Sequence, residues 1–208
     1  MIGDYMENQI ISLFGTGLSK NIQVIANDKI KYKEIIELTD EYSLVTLSFN
    51  KEKEDLKNKE AIVKNILASK GINLYDIKVE EYYQYESLFD HIENKNAFFH
   101  CLHEYHRMNC VLDLIKHGQY LKLSRLIQDS YNSYKYYYQN TSQKQDYLVV
   151  LAEKHQALAA NISSNHLVCL VKNDSKNHFI KKMKKSYSEI YKDVFIQEVY
   201  NDKKSEEK

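Results

Sequence analysis

The sequence predicts an α+β fold, with a small β region ahead of a helical cluster that leads into a strand–helix–strand unit. Three observations predict it. Alternating apolar and polar residues mark half-buried strands at 21–26 and 42–49. Apolar residues at three- to four-residue spacing mark three consecutive helices between 94 and 158. An apolar run at 166–171, an amphipathic stretch at 175–191 and a final strand at 194–200 complete the pattern.

Taken in order, residues 9–14 are short and apolar, and Gly15-Thr16-Gly17 reads as a turn. Residues 51–60 form a mixed-charge run, read as a solvated loop or helix start. Residues 60–70 place Ala61, Ile62, Ile66 and Leu67 near one helical face, and Gly71 supplies the stop. Residues 79–89 are aromatic-rich and ambiguous, although Tyr82, Tyr83, Tyr85 and Phe89 would line a helix.

The strongest helix spans 94–116, with Phe98, Leu102, Met108, Leu112 and Ile115 on its apolar side and His117-Gly118 at its end. A second runs over 121–138, carrying Leu123, Leu126, Ile127 and Tyr134. Thr141-Ser142 offers an N-cap for a third helix, expected to reach 158. Short joins between successive helices favour antiparallel packing. Residues 161–165 read as a turn before the 166–171 strand. The expected organisation is a β region over 1–58, a larger unit over 59–200 and a disordered polar tail over 201–208.

A chain of 208 residues buries enough surface for a stable core without staples. Its 29 basic and 29 acidic residues cancel, so no whole-molecule field draws it to nucleic acid or an anionic membrane. No apolar run approaches the roughly 20 residues that span a bilayer. The opening Met-Ile-Gly-Asp-Tyr lacks the basic start and apolar stretch of a signal peptide. Three irregularly spaced cysteines, Cys101, Cys110 and Cys169, read as reduced thiols in the cytoplasm rather than a disulfide framework. The chain has no proline and no tryptophan, but 18 tyrosines against 7 phenylalanines, a bias that points to coding composition more than to selected chemistry.

Two segments carry a family resemblance. Residues 97–108, Ala-Phe-Phe-His-Cys-Leu-His-Glu-Tyr-His-Arg-Met, place His100, Glu104 and Arg107 at the spacing of "RARHVVxENxRV". After them, Gly118, Ser130, Ser133, Tyr138 and Asp146 keep the spacing of a following "GDLxxFGxLMxxSHxSLxxxYxVS" stretch. Residues 2–8, Ile-Gly-Asp-Tyr-Met-Glu-Asn, look like a worn "IGEHTDY". These motifs resemble galactokinases, members of the GHMP family of small-molecule kinases. The resemblance implies a GHMP-kinase-like C-terminal domain, a helical cluster with a split β-α-β sheet, over 59–200, and a remnant of the sugar-binding region over 1–58. It implies substrate-binding roles for Asp4, Tyr5 and Glu7, because the matching positions in the family lie near the sugar. Ionised carboxylates accept hydrogen bonds from neighbouring hydroxyls, which suits that task. Against the family motif the two acids have exchanged lengths and the histidine has become Tyr5.

The departures fall where chemistry is done. Phosphoryl transfer needs a backbone cradle for phosphate, conventionally a Gly- and Ser-rich loop opening a helix. No such loop is present, and the family's catalytic aspartate and upstream arginine have no counterpart. Where the family has "GARMTGGGFGG", this chain has Asn161-Ile162-Ser163-Ser164-Asn165, with every glycine replaced.

Other constellations are weaker. His100, His103, Glu104 and His106 are dense, but the zincin pattern places two histidines four apart around a glutamate. Here the order is His-Glu-x-His, so no metal is expected and helix packing is the reading. Lys181, Lys182, Lys184 and Lys185 read as a solvated helix face, not a nucleic-acid site. Tyr134, Tyr136, Tyr137 and Tyr138 read as a partly buried helix side.

The functional expectation is a degenerate, non-catalytic galactokinase-like protein that binds a galactose-like sugar or a protein partner. Two alternatives stand beside it. One is an active galactokinase-type enzyme completed by another chain or an oligomer, which would use Mg-ATP. The other is a structural interaction domain without a ligand. No nucleic acid and no membrane are expected as partners.

Overall fold

The computed structural model describes residues 21–23, 35–37, 41–49, 59–163, 166–191 and 196–200. A two-stranded pair, β1 (Asn21–Gln23) and β2 (Ile35–Glu37), precedes a four-stranded antiparallel sheet. That sheet contains β3 (Tyr42–Ser48), β4 (Ala159–Ser163), β5 (His166–Lys172) and β6 (Ile196–Tyr200) in the order β4-β5-β3-β6. Between β3 and β4 run α1 (Lys59–Ala68), 3-10 turns at Leu74–Asp76, Val79–Glu81 and Glu86–Leu88, the four-residue α2 (Tyr82–Tyr85), α3 (Ile92–Lys116), α4 (Tyr120–Ser133), a π-turn at Tyr134–Tyr138 and α5 (Gln143–Lys154). The last helix, α6 (Lys176–Ile190), joins β5 to β6.

β3 pairs antiparallel with both β5 and β6. β5 and β6 are therefore parallel to each other, with α6 crossing between them and β3 inserted: a split β-α-β unit. The inserted strand comes from before residue 58 and both its neighbours from after 165, so the sheet crosses the domain boundary expected at 58.

Both faces of the sheet are covered, which is why 167–171 reads as an unbroken apolar run rather than an alternation. On one face Val45, Leu47, Ala160, Ile162, Leu167 and Cys169 pack against Leu148, Ala152, Phe179 and Met183 from α5 and α6. On the other, Ala159, Val168 and Leu170 pack against Val111, Ile115, Leu123 and Ile127 from α3 and α4. The register confirms the period of two: Val45 lies opposite Cys169, which lies opposite Ala160. A third cluster joins Val63 and Leu67 of α1 to Phe89, Phe98, Cys101 and Leu102 around the first half of α3. Each such buried aliphatic or aromatic side chain contributes about 1.5–3 kcal/mol.

Helix ends follow local chemistry. Gly71 (φ +71°) and Gly118 (φ +63°) take left-handed backbone just past α1 and α3, which a glycine enters without a Cβ clash. Ser142 caps α5 through a reciprocal pair with Gln145: the Ser142 hydroxyl accepts the Gln145 N–H at 3.3 Å, and Gln145 Oε1 accepts the Ser142 N–H at 2.7 Å.

Three expectations change. The second helix does not run unbroken to 138: its last turn widens to a π-turn and ends at Gln139 in left-handed geometry (φ 53°). The third stops at Lys154 rather than 158, because Gln156 turns left-handed (φ 72°) and redirects the chain. Residues 159–163, which follow the expected helix end at 158 and overlap the turn expected at 161–165, form strand β4. Ala159-Ala160-Asn161 carries no β-branched signal, and hydrogen bonding to β5 decides its state. The ambiguous 79–89 stretch resolves into short turns around a single four-residue helix. The 9–14 strand, the Gly15–Gly17 turn, residues 51–58 and the tail lie outside the described residues.

Candidate functional site

Three chemistry-bearing residues of the 97–108 segment lie on the inner side of α3, where it meets α4 and β4. Glu104 is 2% exposed. Its Oε2 accepts from Arg107 Nε at 3.0 Å and Nη2 at 2.6 Å. Its Oε1 accepts from the Ser130 hydroxyl of α4 at 2.6 Å. Ser130 Oγ in turn accepts from Asn161 Nδ2 of β4 at 3.1 Å, and Asn161 Oδ1 accepts the Ile162 N–H at 2.8 Å. One helical turn earlier on α3, buried His100 bonds Ser133 Oγ through Nδ1 at 2.9 Å. Its ring lies 4.8 Å from that of Tyr138 and 5.8 Å from that of Tyr134, both on the π-turn. The Lys59 ammonium of α1 bonds the Tyr138 carbonyl, and the Tyr138 hydroxyl accepts the Glu60 N–H at 3.2 Å. Polar side chains thus link α1, α3, the π-turn, α4 and β4.

The electrostatics follow from this packing. Burial acts to raise the Glu104 carboxyl, but the Arg107 guanidinium foremost, with the Ser130 bond, holds it below the ordinary carboxylate range. Burial pushes His100 down to about 4, against the pull of Glu104, so the imidazole is neutral. A neutral imidazole and an ionised, doubly satisfied carboxylate form a static network rather than an acid–base pair poised near neutrality.

The two other histidines of that helix make separate contacts. His103 stacks on Phe99 with centroids 4.1 Å apart, and exposed His106 lies 3.7 Å from the Cys110 sulfur. Among the described residues no three His, Cys, Asp or Glu side chains converge on a point that could hold a metal ion. Cys101 and Cys169 are buried, and burial raises both thiols, which works against a nucleophilic thiolate. Lys181, Lys182, Lys184 and Lys185 are exposed on α6. Among the described residues no helix is long and apolar enough to cross a membrane. Asp4, Tyr5 and Glu7 lie outside the described residues.

The sequence flagged His100, Glu104, Arg107, Ser130 and Ser133 by spacing. It gave no sign that Asn161 closes the network, because an asparagine in a polar five-residue stretch looks like any turn residue. Nor did it pair Lys64 with Tyr75, whose hydroxyl the Lys64 ammonium bonds at 2.5 Å. That contact depends on how the 74–81 turns fold back over α1.

No protein-family model matches the chain, and no curated protein matches it. Solved structures do. A crystal structure of Lactococcus lactis galactokinase complexed with galactose superposes with a TM-score of 0.74 and 21% sequence identity. The match covers 90% of this chain and 52% of that one, so the chain spans about half the length of the galactokinase it resembles. At that identity the likeness speaks for architecture: the chain has a galactokinase-like fold.

Proposed function

We propose that the chain is a non-catalytic galactokinase-like protein, one that binds a galactose-like sugar or a protein partner and transfers no phosphate by itself. The observation that carries this reading is Asn161. It stands at the start of the segment that matches the glycine-rich turn of the resembled family. Its side chain is buried, anchored on Ser130, and already accepts the Ile162 N–H at 2.8 Å. A phosphate cradle works through backbone N–H groups left open to the anion, on residues without a Cβ in the way. Here one of those N–H groups is satisfied from within, and the residues that follow carry side chains. Residues 161–163 do not fit the triphosphate of Mg-ATP.

A second reading is favoured by the coverage. Because the match reaches only 52% of the galactokinase, another chain could supply what this one lacks and restore transfer. The third, an interaction domain without a small ligand, predicts no heat with any small molecule.

Isothermal titration of the purified chain with galactose and, separately, with Mg-ATP separates the readings. The expected result is no heat with Mg-ATP and no ADP formed in the presence of galactose. Binding of Mg-ATP by the chain alone would overturn the non-catalytic reading. If galactose binds through the N-terminal motif, Asp4→Ala with Glu7→Ala abolishes that heat, and unchanged binding removes Asp4, Tyr5 and Glu7 from the site.

A further inference from the structure

We propose that the groove between the 74–81 turns and α3 is a separate ligand site for a neutral, polyhydroxylated molecule of the hexose class. It rests on the reading above only in the choice of galactose as first probe. The groove has a volume of about 390 Å³, within the usual range for small-molecule sites. Its floor is apolar, made by buried Leu102 and Ile77. Its wall holds two half-buried tyrosines, Tyr75 and Tyr105, with centroids 4.9 Å apart and ring planes at 58°. Such rings offer an apolar face beside a hydroxyl, which suits a molecule with an apolar C–H face and a polar edge. Exposed Asp76, Glu80 and Asn109 also line the groove. Carboxylates accept from hydroxyls, and an amide both donates and accepts. Asp76 and Glu80 offset Lys78, and His106 completes the polar lining, so the groove has no excess of positive charge to hold a phosphate and favours neutral hydroxyls.

The wall is fixed from behind. The Lys64 ammonium bonds the Tyr75 hydroxyl at 2.5 Å and lies 4.8 Å from the centre of its ring. Lys64 is itself held by buried Glu60, at 2.6 Å. On the other side, Asn73 Oδ1 accepts the Tyr75 N–H at 3.3 Å. A buried ion pair is a weak source of net stability. What this one provides is a set orientation for a half-exposed ring, and a ring ordered beforehand lowers the cost of binding.

Saturation-transfer NMR on the full chain tests this with galactose and with lactose as probes. The expected result is transfer to the sugar C–H protons. Tyr105→Ala and the exposed Asn109→Ala should each weaken binding by about tenfold or more, which corresponds to about 1.4 kcal/mol. Asp4→Ala with Glu7→Ala should leave this signal in place. Transfer to lactose but not galactose would also support the groove and assign it to the end of a longer glycan. Three outcomes overturn the proposal: no transfer to either sugar, wild-type binding by both groove variants, or loss of the signal in the Asp4/Glu7 variant alone. The last would leave the N-terminal sugar site of the proposed function standing.

Discussion

On one face of the sheet, α5 and α6 meet β3, β4 and β5 through interleaved aliphatic and aromatic side chains. At the sheet's β4 edge, α3 and α4 are joined by His100–Ser133 and Glu104–Ser130, with Arg107 on Glu104 and Asn161 of β4 on Ser130. The two regions answer to different rules. An apolar contact asks for volume and shape, so it accepts many sequences of similar size. A buried polar network asks for particular atoms at particular places, since each unmet donor or acceptor costs its full desolvation. The spacing of His100, Glu104 and Arg107 falls in the second region, where particular atoms are required.

The largest effect should come from breaking charge balance in the polar seam. Arg107→Met leaves ionised Glu104 buried with only Ser130 as partner, and urea unfolding should show a loss of about 3–5 kcal/mol. Adding Glu104→Gln to that variant should recover much of the loss. If the double variant is no better than the single one, the penalty was packing and not charge.

In the apolar region, Leu148→Ala removes a side chain with no solvent exposure. It should cost about 3 kcal/mol, by the same amount at pH 5 and at pH 7.5. A pH-dependent cost would mean the two regions are coupled.

The seam should respond to acid. His100 titrates at about 4 in the folded chain against an ordinary value of 6.5, so below 6.5 the unfolded chain takes up the proton more readily. Stability should be full above pH 6.5 and fall as pH drops toward 4, by about 3 kcal/mol in total. Around the ring, Glu104, Arg107 and His103 of α3 and Lys59 of α1 set the balance, with Tyr134 and Tyr138 of the π-turn packed on it. His103 and His155 are also lowered, chiefly by burial, and add to the same slope. Glu104, whose carboxyl is held low, contributes only further down, below the ordinary carboxylate value. Replacing His100 by Gln should flatten the window between pH 6.5 and 4; an unaltered slope would assign the acid response to another group.

The smallest effect expected is from Ser133→Ala, which removes the hydroxyl partner of His100. A loss of about 1 kcal/mol is expected in thermal or urea unfolding. A neutral result would mean that His100 finds a replacement partner.

Much of the architecture was legible because it rests on local signals. The 3.6-residue spacing of Phe98, Leu102 and Ile115 fixed α3 to within two residues of its start, and the N-cap signal of Thr141-Ser142 marked the start of α5. The strands at 42–48 and 166–172 announced themselves as alternating and continuous apolar runs. The π-turn was not legible, since Tyr-Lys-Tyr-Tyr-Tyr continues a helical pattern and only packing around His100 and Lys59 accompanies its widening. β4 was missed because its ladder with β5 supplies what Ala159-Ala160-Asn161 lacks in propensity.

The sequence by itself determined the long helices and the strands at 42–48 and 166–172, though not β4 or the π-turn, and it marked the residues of the α3 motif. Spacing along the chain encodes local backbone state and which face of an element is apolar. Tertiary structure alone decided that β3 sits between β5 and β6, and that Asn161 reaches Ser130 and through it Glu104. It also decided that Glu60 and Lys64 brace Tyr75 at the edge of a groove. Such contacts join residues far apart in sequence or on separate elements, and their free energy appears only once desolvated groups are brought within hydrogen-bond distance.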